Sequence, residues 1–343
     1  MPSVTSREWR LKARPVGEPK PSDFELSTVD VREPAAGELQ VRNTWMTVDP
    51  YMRGRMNEAR NYAEPYEIGK AMTGGAVGTV LQSRDDRFKA GDLVTSMAGW
   101  REVFTAAPEA VGLARLPGDS GTQAPPQAFL SVLGMTGHTA WYGLNRIGAP
   151  KAGETVFVSG AAGAVGSLVG QLAKLKGCHV IGSAGGKEKC DWLKSNGFDE
   201  AVDYREAKDA FELIKAVKAA APRGVDVYFD NVGGDHLVAA LANANVGARM
   251  PICGMISIYN ATKPPPGPFN IGMLIGRRIK MQGFLIFDHA ATYPEFLSEV
   301  SPLVAAGKIR YEETVMNGIE TAVDAFLALF TGGNTGKMLV KLG

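Results

Sequence analysis

Residues 154–166 read Glu-Thr-Val-Phe-Val-Ser-Gly-Ala-Ala-Gly-Ala-Val-Gly, a β-branched and aromatic run that ends in glycines spaced by three. Gly160, Gly163 and Gly166 open a segment in which Val165, Leu168, Val169, Leu172 and Leu175 recur at helical spacing, and Gly177 closes it. A strand, a glycine turn and a helix in that order suit a dinucleotide. Small residues let the backbone approach a pyrophosphate, and the helix N-terminus turns N–H groups toward its charge. Ordinary glycine turns imitate such a triplet, so the flanking pattern decides.

That pattern alternates. Residues 178–183 read as a short buried strand, 187–196 as a helix stopped by Gly197, and 201–204 as a third strand. Helix 206–220, strand 225–230, helix 235–243 and strands 248–253 and 279–287 follow. Six strands separated by helices predict an α/β fold with a doubly wound, parallel Rossmann sheet.

At 343 residues the chain is long enough for about two domains. Apolar residues make up 45%, ordinary for a globular protein. With 37 Lys and Arg against 36 Asp and Glu there is no cationic excess to neutralise a phosphate backbone, so nucleic acid and anionic membrane are excluded as expected partners. The first residues lack the apolar core of a signal peptide and no apolar run is long enough to span a bilayer, which predicts a cytoplasmic protein. Cys178, Cys190 and Cys253 are widely separated in apolar surroundings and read as buried free thiols.

Residues 1–125 have another texture: short strand-like runs such as 38–42 and 75–81, broken by Pro and Gly and without a long helix, predict a mainly β, barrel-like unit. From Gln123 through Pro125 and Pro126 the chain passes into helical spacing. Near the end, a strand, a helix over 319–330 and a strand over 337–341 predict that the C-terminus returns to the first domain. Lys263-Pro-Pro-Pro-Gly-Pro268 reads as a stiff surface loop.

Beyond the glycine turn stand Val48-Asp-Pro-Tyr-Met-Arg-Gly-Arg-Met56, Gly91-Asp-Leu-Val94 with Gly99-Trp100, Gly134-Met-Thr-Gly137, Phe229-Asp-Asn-Val-Gly-Gly234, Cys253-Gly-Met-Ile-Ser-Ile-Tyr-Asn260 and Gly332-Gly-Asn-Thr-Gly-Lys337. With these ordered motifs the chain resembles, end to end, the medium-chain dehydrogenase/reductase superfamily, in its zinc-independent, NADPH-dependent alkenal, prostaglandin and curcumin reductase branch. The resemblance implies a GroES-like catalytic domain over 1–125, completed by 309–343, with the Rossmann cofactor-binding domain over 126–308. It also implies a homodimer, and strand 279–287 would leave an open sheet edge if unpaired.

An NAD site places an acid roughly 20 residues past the glycine turn, on the ribose 2′-hydroxyl. Here Ser183-Ala-Gly-Gly-Lys-Glu-Lys189 ends the strand without one, leaving room for a 2′-phosphate and offering Lys187 and Lys189, so the cofactor is expected to be NADPH. Both lysines also fit a solvated helix start. By resemblance, Lys189 and Tyr204 meet the 2′-phosphate, and Gly163, Ala164, Val165 and Gly166 form the pyrophosphate turn. Asn231, Cys253, Gly254, Ile256, Ser257 and Tyr259 line the nicotinamide and its ribose, and Phe284, Leu285, Ile286 and Asn334 complete the pocket. No metal site is expected, because His138, His179, His236 and His289 are scattered and pair with no cysteine at ligand spacing.

Reducing a double bond conjugated to a carbonyl needs a hydride at the β carbon and a donor for the oxygen that becomes negative. A neutral tyrosine, with a pKa near ~10, donates without carrying charge into an apolar pocket. Tyr259 and Tyr51 are the candidates. Tyr259 could instead be only a wall of the cofactor site, and Tyr51 could pack its loop with Arg53 and Arg55 solvated or paired to acids. Some relatives carry a tyrosine where this chain has Ala76, which bears on pocket shape. Met46, Met72 and Met135 read as pocket walls or core filling. The expected function is NADPH-dependent enone and alkenal reduction on a small-molecule substrate. The alternatives are a quinone reductase of the same superfamily and a non-catalytic cofactor-binding or regulatory protein.

Overall fold

The structure, a computed structural model, describes residues 4–59, 62–117 and 124–343. The N-terminal Met-Pro-Ser, residues 60 and 61, and Gln123 of the crossing segment lie outside the described residues. The chain divides into two units, one of Met1–Leu130, Glu313–Asn334 and Met338–Gly343, the other of Ser131–Glu312 and Thr335–Lys337.

In the first unit β1 (Val4–Leu11) and β2 (Phe24–Val31) form an antiparallel ladder. They are followed by β3 (Leu39–Thr47), the four-residue turn α1 (Met52–Arg55), β4 (Ala76–Ser83), β5 (Leu93–Ser96), β6 (Val103–Ala106) and β7 (Ala114–Arg115). β3 pairs with β4 and, through residues 39–42, with β6, and its register with β4 breaks at Gln40/Val41 and Asn43/Trp45. Such irregularities bend a strand so that it serves two directions of a curved sheet. Met46, Met52, Met72, Ala76 and Trp100 are wholly buried in one core cluster. Ala76 therefore presents no surface to a pocket, and Met46 and Met72 fill core.

The second unit begins with α2 (Met135–Tyr142), then alternates β8 (Thr155–Val158), α3 (Ala164–Leu175), β9 (His179–Ala184), α4 (Lys187–Ser195), β10 (Glu200–Asp203), α5 (Ala210–Ala220), β11 (Val225–Phe229), α6 (Gly234–Asn243) and β12 (Ala244–Ile252). α7 (Met273–Arg277), β13 (Lys280–Gly283) and α8 (Tyr293–Ala305) complete it. Its six strands among the described residues run in the order β10-β9-β8-β11-β12-β13, every neighbouring pair parallel. This is the 3-2-1-4-5-6 order of a doubly wound sheet, whose switch point lies beside β8. Val156, Phe157 and Val158 are fully buried, as a central parallel strand covered on both faces requires.

Several boundaries differ from the sequence reading. On α3 the buried stripe is Leu168, Val169 and Leu172, whereas Leu175 is 51% exposed at the frayed end. α5 starts at Ala210 rather than residue 206, because the Asp209 carboxylate accepts the Glu212 N–H at 2.9 Å and the Glu212 carboxylate accepts the Lys208 N–H at 2.9 Å, closing the helix start there. β13 stops at Gly283, opposite the last residue of β12, Ile252. With no ladder to extend, Phe284 leaves the sheet and packs its ring against Phe229 at 6.4 Å and Tyr142 at 5.8 Å.

After α8 the chain forms β14 (Glu313–Asn317), α9 (Ala322–Thr331) and β15 (Lys337–Lys341). β15 lies antiparallel to β3, with Leu339 opposite Thr47, so the C-terminal strand completes the first unit's sheet. Phe326 of α9 packs edge-on against Phe24 and Trp100. No described helix is long and apolar enough to cross a membrane.

Candidate cofactor and substrate site

In the second unit the expected cofactor residues all follow the C-terminal end of a strand. Gly163, Ala164, Val165 and Gly166 follow β8, Lys189 follows β9, and Tyr204 follows β10. Asn231 follows β11, while Cys253, Gly254, Ile256, Ser257 and Tyr259 follow β12 and Phe284, Leu285 and Ile286 follow β13. A parallel sheet opens its ligand crevice on that edge. Asn334 is the exception, since it ends a segment of the first unit; two residues later the Gly336 N–H donates to the Ala162 carbonyl at 2.7 Å.

Two glycines of the turn are required by geometry. Gly160 has a left-handed φ of 58°. A Cβ on Gly166 would lie 2.4 Å from the Gly160 carbonyl oxygen, so only glycine lets α3 start this close to the turn. Gly163, the residue before α3, places no side chain over the first helical amides. That leaves a concave N-terminus suited to an anion.

A cationic corner lies at the end of β9. The two lysines separate: Lys187 is 85% exposed and ion-paired with Asp191, one turn along its own helix. Lys189 is half-buried, and its ammonium pKa is lowered by burial first and then by the neighbouring Arg205 guanidinium. Arg205, which the sequence reading did not select, reaches over the Gly185–Gly186 turn: a Cβ on Gly185 would lie 2.8 Å from its Nε and 2.8 Å from the Tyr204 hydroxyl. The acid of this corner, Asp203, is used internally, accepting the N–H groups of Gly186 at 2.9 Å and Arg205 at 3.0 Å. A guanidinium and a phenol thus converge on one glycine turn, and the Lys189 ammonium lies within electrostatic reach of the guanidinium.

The ends of β8, β11 and β12 are stitched together by Asp230, which is fully buried. Its Oδ1 accepts the Tyr228 hydroxyl at 2.7 Å, the Ser159 hydroxyl at 3.1 Å and the N–H groups of Val232 and Gly233 at 2.9 and 2.8 Å. Burial pushes the carboxyl pKa up against the pull of those donors. Its backbone carbonyl accepts the N–H groups of Cys253 and Gly254. Asn231 is held through its side-chain amide to the Ser159 carbonyl at 2.7 Å, and Ser257 donates its hydroxyl to the Val232 carbonyl at 2.6 Å.

Tyr259 folds back over this edge. Its phenol oxygen accepts the Met255 N–H at 3.3 Å, while its own O–H finds no acceptor among the described residues. Burial raises its pKa, so the hydroxyl stays protonated at neutral pH. A Cβ on Gly254 would come within 3.1 Å of that oxygen, so glycine keeps the approach to the hydroxyl open. Cys253 is partly exposed as a residue, where the sequence reading had it buried, but its thiol faces inward, and desolvation and then the Asp230 charge push that thiol up to about 12. Cys178, which is buried, and Cys190, partly exposed, are also shifted upward by desolvation.

Tyr51 belongs to the first unit, immediately before α1. Its phenol is kept neutral by burial, reinforced by Asp49, with the Arg55 guanidinium opposing. Arg53 is 3% exposed and donates to the carbonyls of Gly17 at 2.8 Å and Pro15 at 3.3 Å, so it binds backbone instead of standing in solvent. Arg55 donates to the Glu64 carbonyl and the Thr73 hydroxyl.

The histidines have other duties. His138 bonds the Thr292 hydroxyl at 2.8 Å, His236 bonds the Ser183 hydroxyl at 2.7 Å, His179 lies 3.6 Å from Asp199, and His289 stacks on Tyr142 at 4.0 Å. Among the described residues no three His, Cys, Asp or Glu side chains converge on a point that could hold a metal ion.

Comparison with known proteins bears on the whole chain. Residues 7–113 match a family described as the N-terminal domain of oxidoreductase, and residues 164–302 match one described as zinc-binding dehydrogenase. The chain is 43% identical to the NADP(+)-dependent 2-alkenal reductase of Nicotiana tabacum over 99% of its own length and 98% of the relative's. It is 40% identical to the NADPH-dependent curcumin reductase of Escherichia coli (strain K12), covering 98% and 97%. The crystal structure of CurA in complex with NADPH from Vibrio vulnificus superposes with a TM-score of 0.91 at 43% identity, covering 98% and 99% of the two chains.

Proposed function

This chain belongs to the zinc-independent branch of the medium-chain dehydrogenase/reductase family that includes NADP-dependent alkenal, curcumin and prostaglandin reductases, and from that premise we propose that it reduces the carbon–carbon double bond of α,β-unsaturated aldehydes and ketones. It is an oxidoreductase with NADPH as cofactor. Its residues fit that group: the glycine cradle of 160–166 would take the pyrophosphate, and Lys189, Tyr204 and Arg205 the 2′-phosphate. Bound NADPH supplies the hydride.

The observation that carries the reading is the Tyr259 hydroxyl, which accepts a backbone N–H while its own proton is uncommitted. Accepting one hydrogen bond polarises the O–H and strengthens the one it gives. Tyr259 would donate to the carbonyl oxygen as hydride addition at the β carbon moves charge onto it. A preorganised donor of this kind is worth about 2.7–4 kcal/mol at a developing oxyanion. Asp230 and Asn231 hold the strand ends on which Tyr259 rests. Tyr51, neutral in its own unit, is the second donor we assign to the substrate.

The test is NADPH oxidation with simple enones and enals, the product identified by mass and by retention of the carbonyl. Tyr259→Phe should slow single-turnover hydride transfer roughly 100- to 1000-fold with NADPH affinity retained. An allylic alcohol as product, or an unchanged Tyr259→Phe rate, refutes the assignment.

The same proposal includes a homodimer through β13. That strand pairs only with β12 among the described residues, and Phe269, Ile275 and Phe287 around it are 64%, 83% and 56% exposed.

A further inference from the structure

α1 is only four residues long, yet its two arginines reach in different directions. Arg53 holds the carbonyls of Pro15 and Gly17. Arg55 grips the segment 62–73 at both ends: its Nε donates to the Glu64 carbonyl at 2.9 Å and its Nη1 to the Thr73 hydroxyl at 2.9 Å. Between these contacts its guanidinium lies 4.1 Å above the Tyr66 ring. Tyr66, itself 4% exposed, returns the hold, donating its N–H to the Arg55 carbonyl at 2.7 Å and its hydroxyl to the Thr73 carbonyl at 2.7 Å. On its other side the segment meets β1 through backbone bonds from Gly69 to the Leu11 carbonyl and from Met72 to the Trp9 carbonyl, and the Arg101 guanidinium donates to the Met72 carbonyl at 2.9 Å.

Tyr51 stands next to this staple. Tyr51 packs against the core cluster that holds Met52, Tyr66 and Met72, so two residues of the 62–73 segment belong to the cluster on which it rests. We propose that Arg55 is a specificity-determining positioning residue: by fixing segment 62–73 beside Tyr51, it sets how long a substituent an unsaturated aldehyde or ketone can carry into the site. The inference rests on the enone reductase reading and on Tyr51 facing substrate. Only arginine can do this, because one planar fork makes two divergent hydrogen bonds while its face covers an aromatic ring, and lysine supplies a single point charge.

The experiment uses the full-length enzyme and a homologous series of straight-chain 2-enals from four to nine carbons. Arg55→Lys should change the ratio of kcat/KM between the longest and shortest enal at least fivefold, mostly through KM, with the NADPH Kd within twofold of wild type. Thr73→Val, which removes one contact of the staple, should shift the ratio in the same direction by less. Hydrogen exchange of peptides covering 62–73 should be at least fivefold faster in Arg55→Lys, the rest of the chain unchanged. A uniform loss across the series overturns the specificity role, and unchanged exchange overturns the staple. Failure of the wild type to reduce any enal would instead defeat the enone reductase reading, and the exchange comparison would still decide whether Arg55 holds the segment.

Discussion

Replacing Arg205 by Ala should weaken NADPH and leave NADH untouched. In the protein without cofactor the Lys189 ammonium pKa is lowered by burial and then by the Arg205 guanidinium, with Glu188 opposing, so the two cations repel. A phosphate between them turns that repulsion into two charge-assisted contacts, each worth about 1.5–3 kcal/mol, or roughly 10- to 150-fold in Kd. Arg205→Ala and Lys189→Ala should each fall in that range for NADPH, and the double variant should lose less than the product of the two because the neighbours couple. The pH dependence has a definite sign. Lys189 must be charged to hold the phosphate and its pKa lies below the ordinary 10.5, so NADPH affinity should fall as pH rises toward that lowered value while NADH affinity stays flat. In Arg205→Ala the fall should begin at higher pH, because the repelling charge is gone. Titration of nicotinamide fluorescence from pH 7 to 10 measures both cofactors. Equal losses for NADPH and NADH, or an Arg205→Ala enzyme that binds NADPH like wild type, would refute the reasoning.

Gly254→Ala should lower turnover at least tenfold without moving Tm by more than a degree or two, since its Cβ crowds the Tyr259 hydroxyl from 3.1 Å and touches little else; turnover equal to wild type would show that the hydroxyl is approached from another side. His236, 6% exposed, has its pKa lowered by burial from 6.5 to about 4, so the unfolded chain binds the proton first and stability falls as pH drops through that window, by about 2 kcal/mol between neutrality and pH 5. Denaturant titrations should show His236→Asn losing less than wild type over the same range. Sedimentation at micromolar concentration should give a dimer, and Ile275→Asp with Phe287→Asp a monomer; a wild-type monomer with full activity would remove the role given to the β13 edge.

The β-branched run at 155–158, the glycine spacing and the helical stripe made the nucleotide fold legible in the sequence, because close approach and burial leave few residues acceptable at those positions. The end of the last strand was not legible. Residues 284–287, Phe-Leu-Ile-Phe, are more strand-like than the paired Lys-Met-Gln-Gly of 280–283, and only the length of β12 decides where pairing stops. The start of α5 could have been found, since Asp209 followed by Glu212 is a recognised opening signal. In the site, the missing acid after β9 pointed to Lys189, but Arg205 lies on another strand's end and converges through the parallel sheet, which no local spacing reports. Arg53 and Arg55 read as solvated or paired to acids because the uncharged partners they bind, the carbonyls of Pro15, Gly17 and Glu64 and the Thr73 hydroxyl, lie outside their own motif.

The state of the three thiols bears on how an enone reductase, the function proposed for this chain, would withstand its own substrates. Unsaturated aldehydes and ketones are alkylating agents, and it is the thiolate that adds to them. Cys253, set where substrate chemistry is proposed, is pushed up to about 12 by desolvation and then by the Asp230 charge, which keeps the thiol protonated at neutral pH. Cys178 and Cys190 are biased the same way by desolvation. On the proposed enone reductase reading the chain would work among electrophiles while offering them little thiolate, a resistance to suicide inactivation that a cation placed beside Cys253 would weaken.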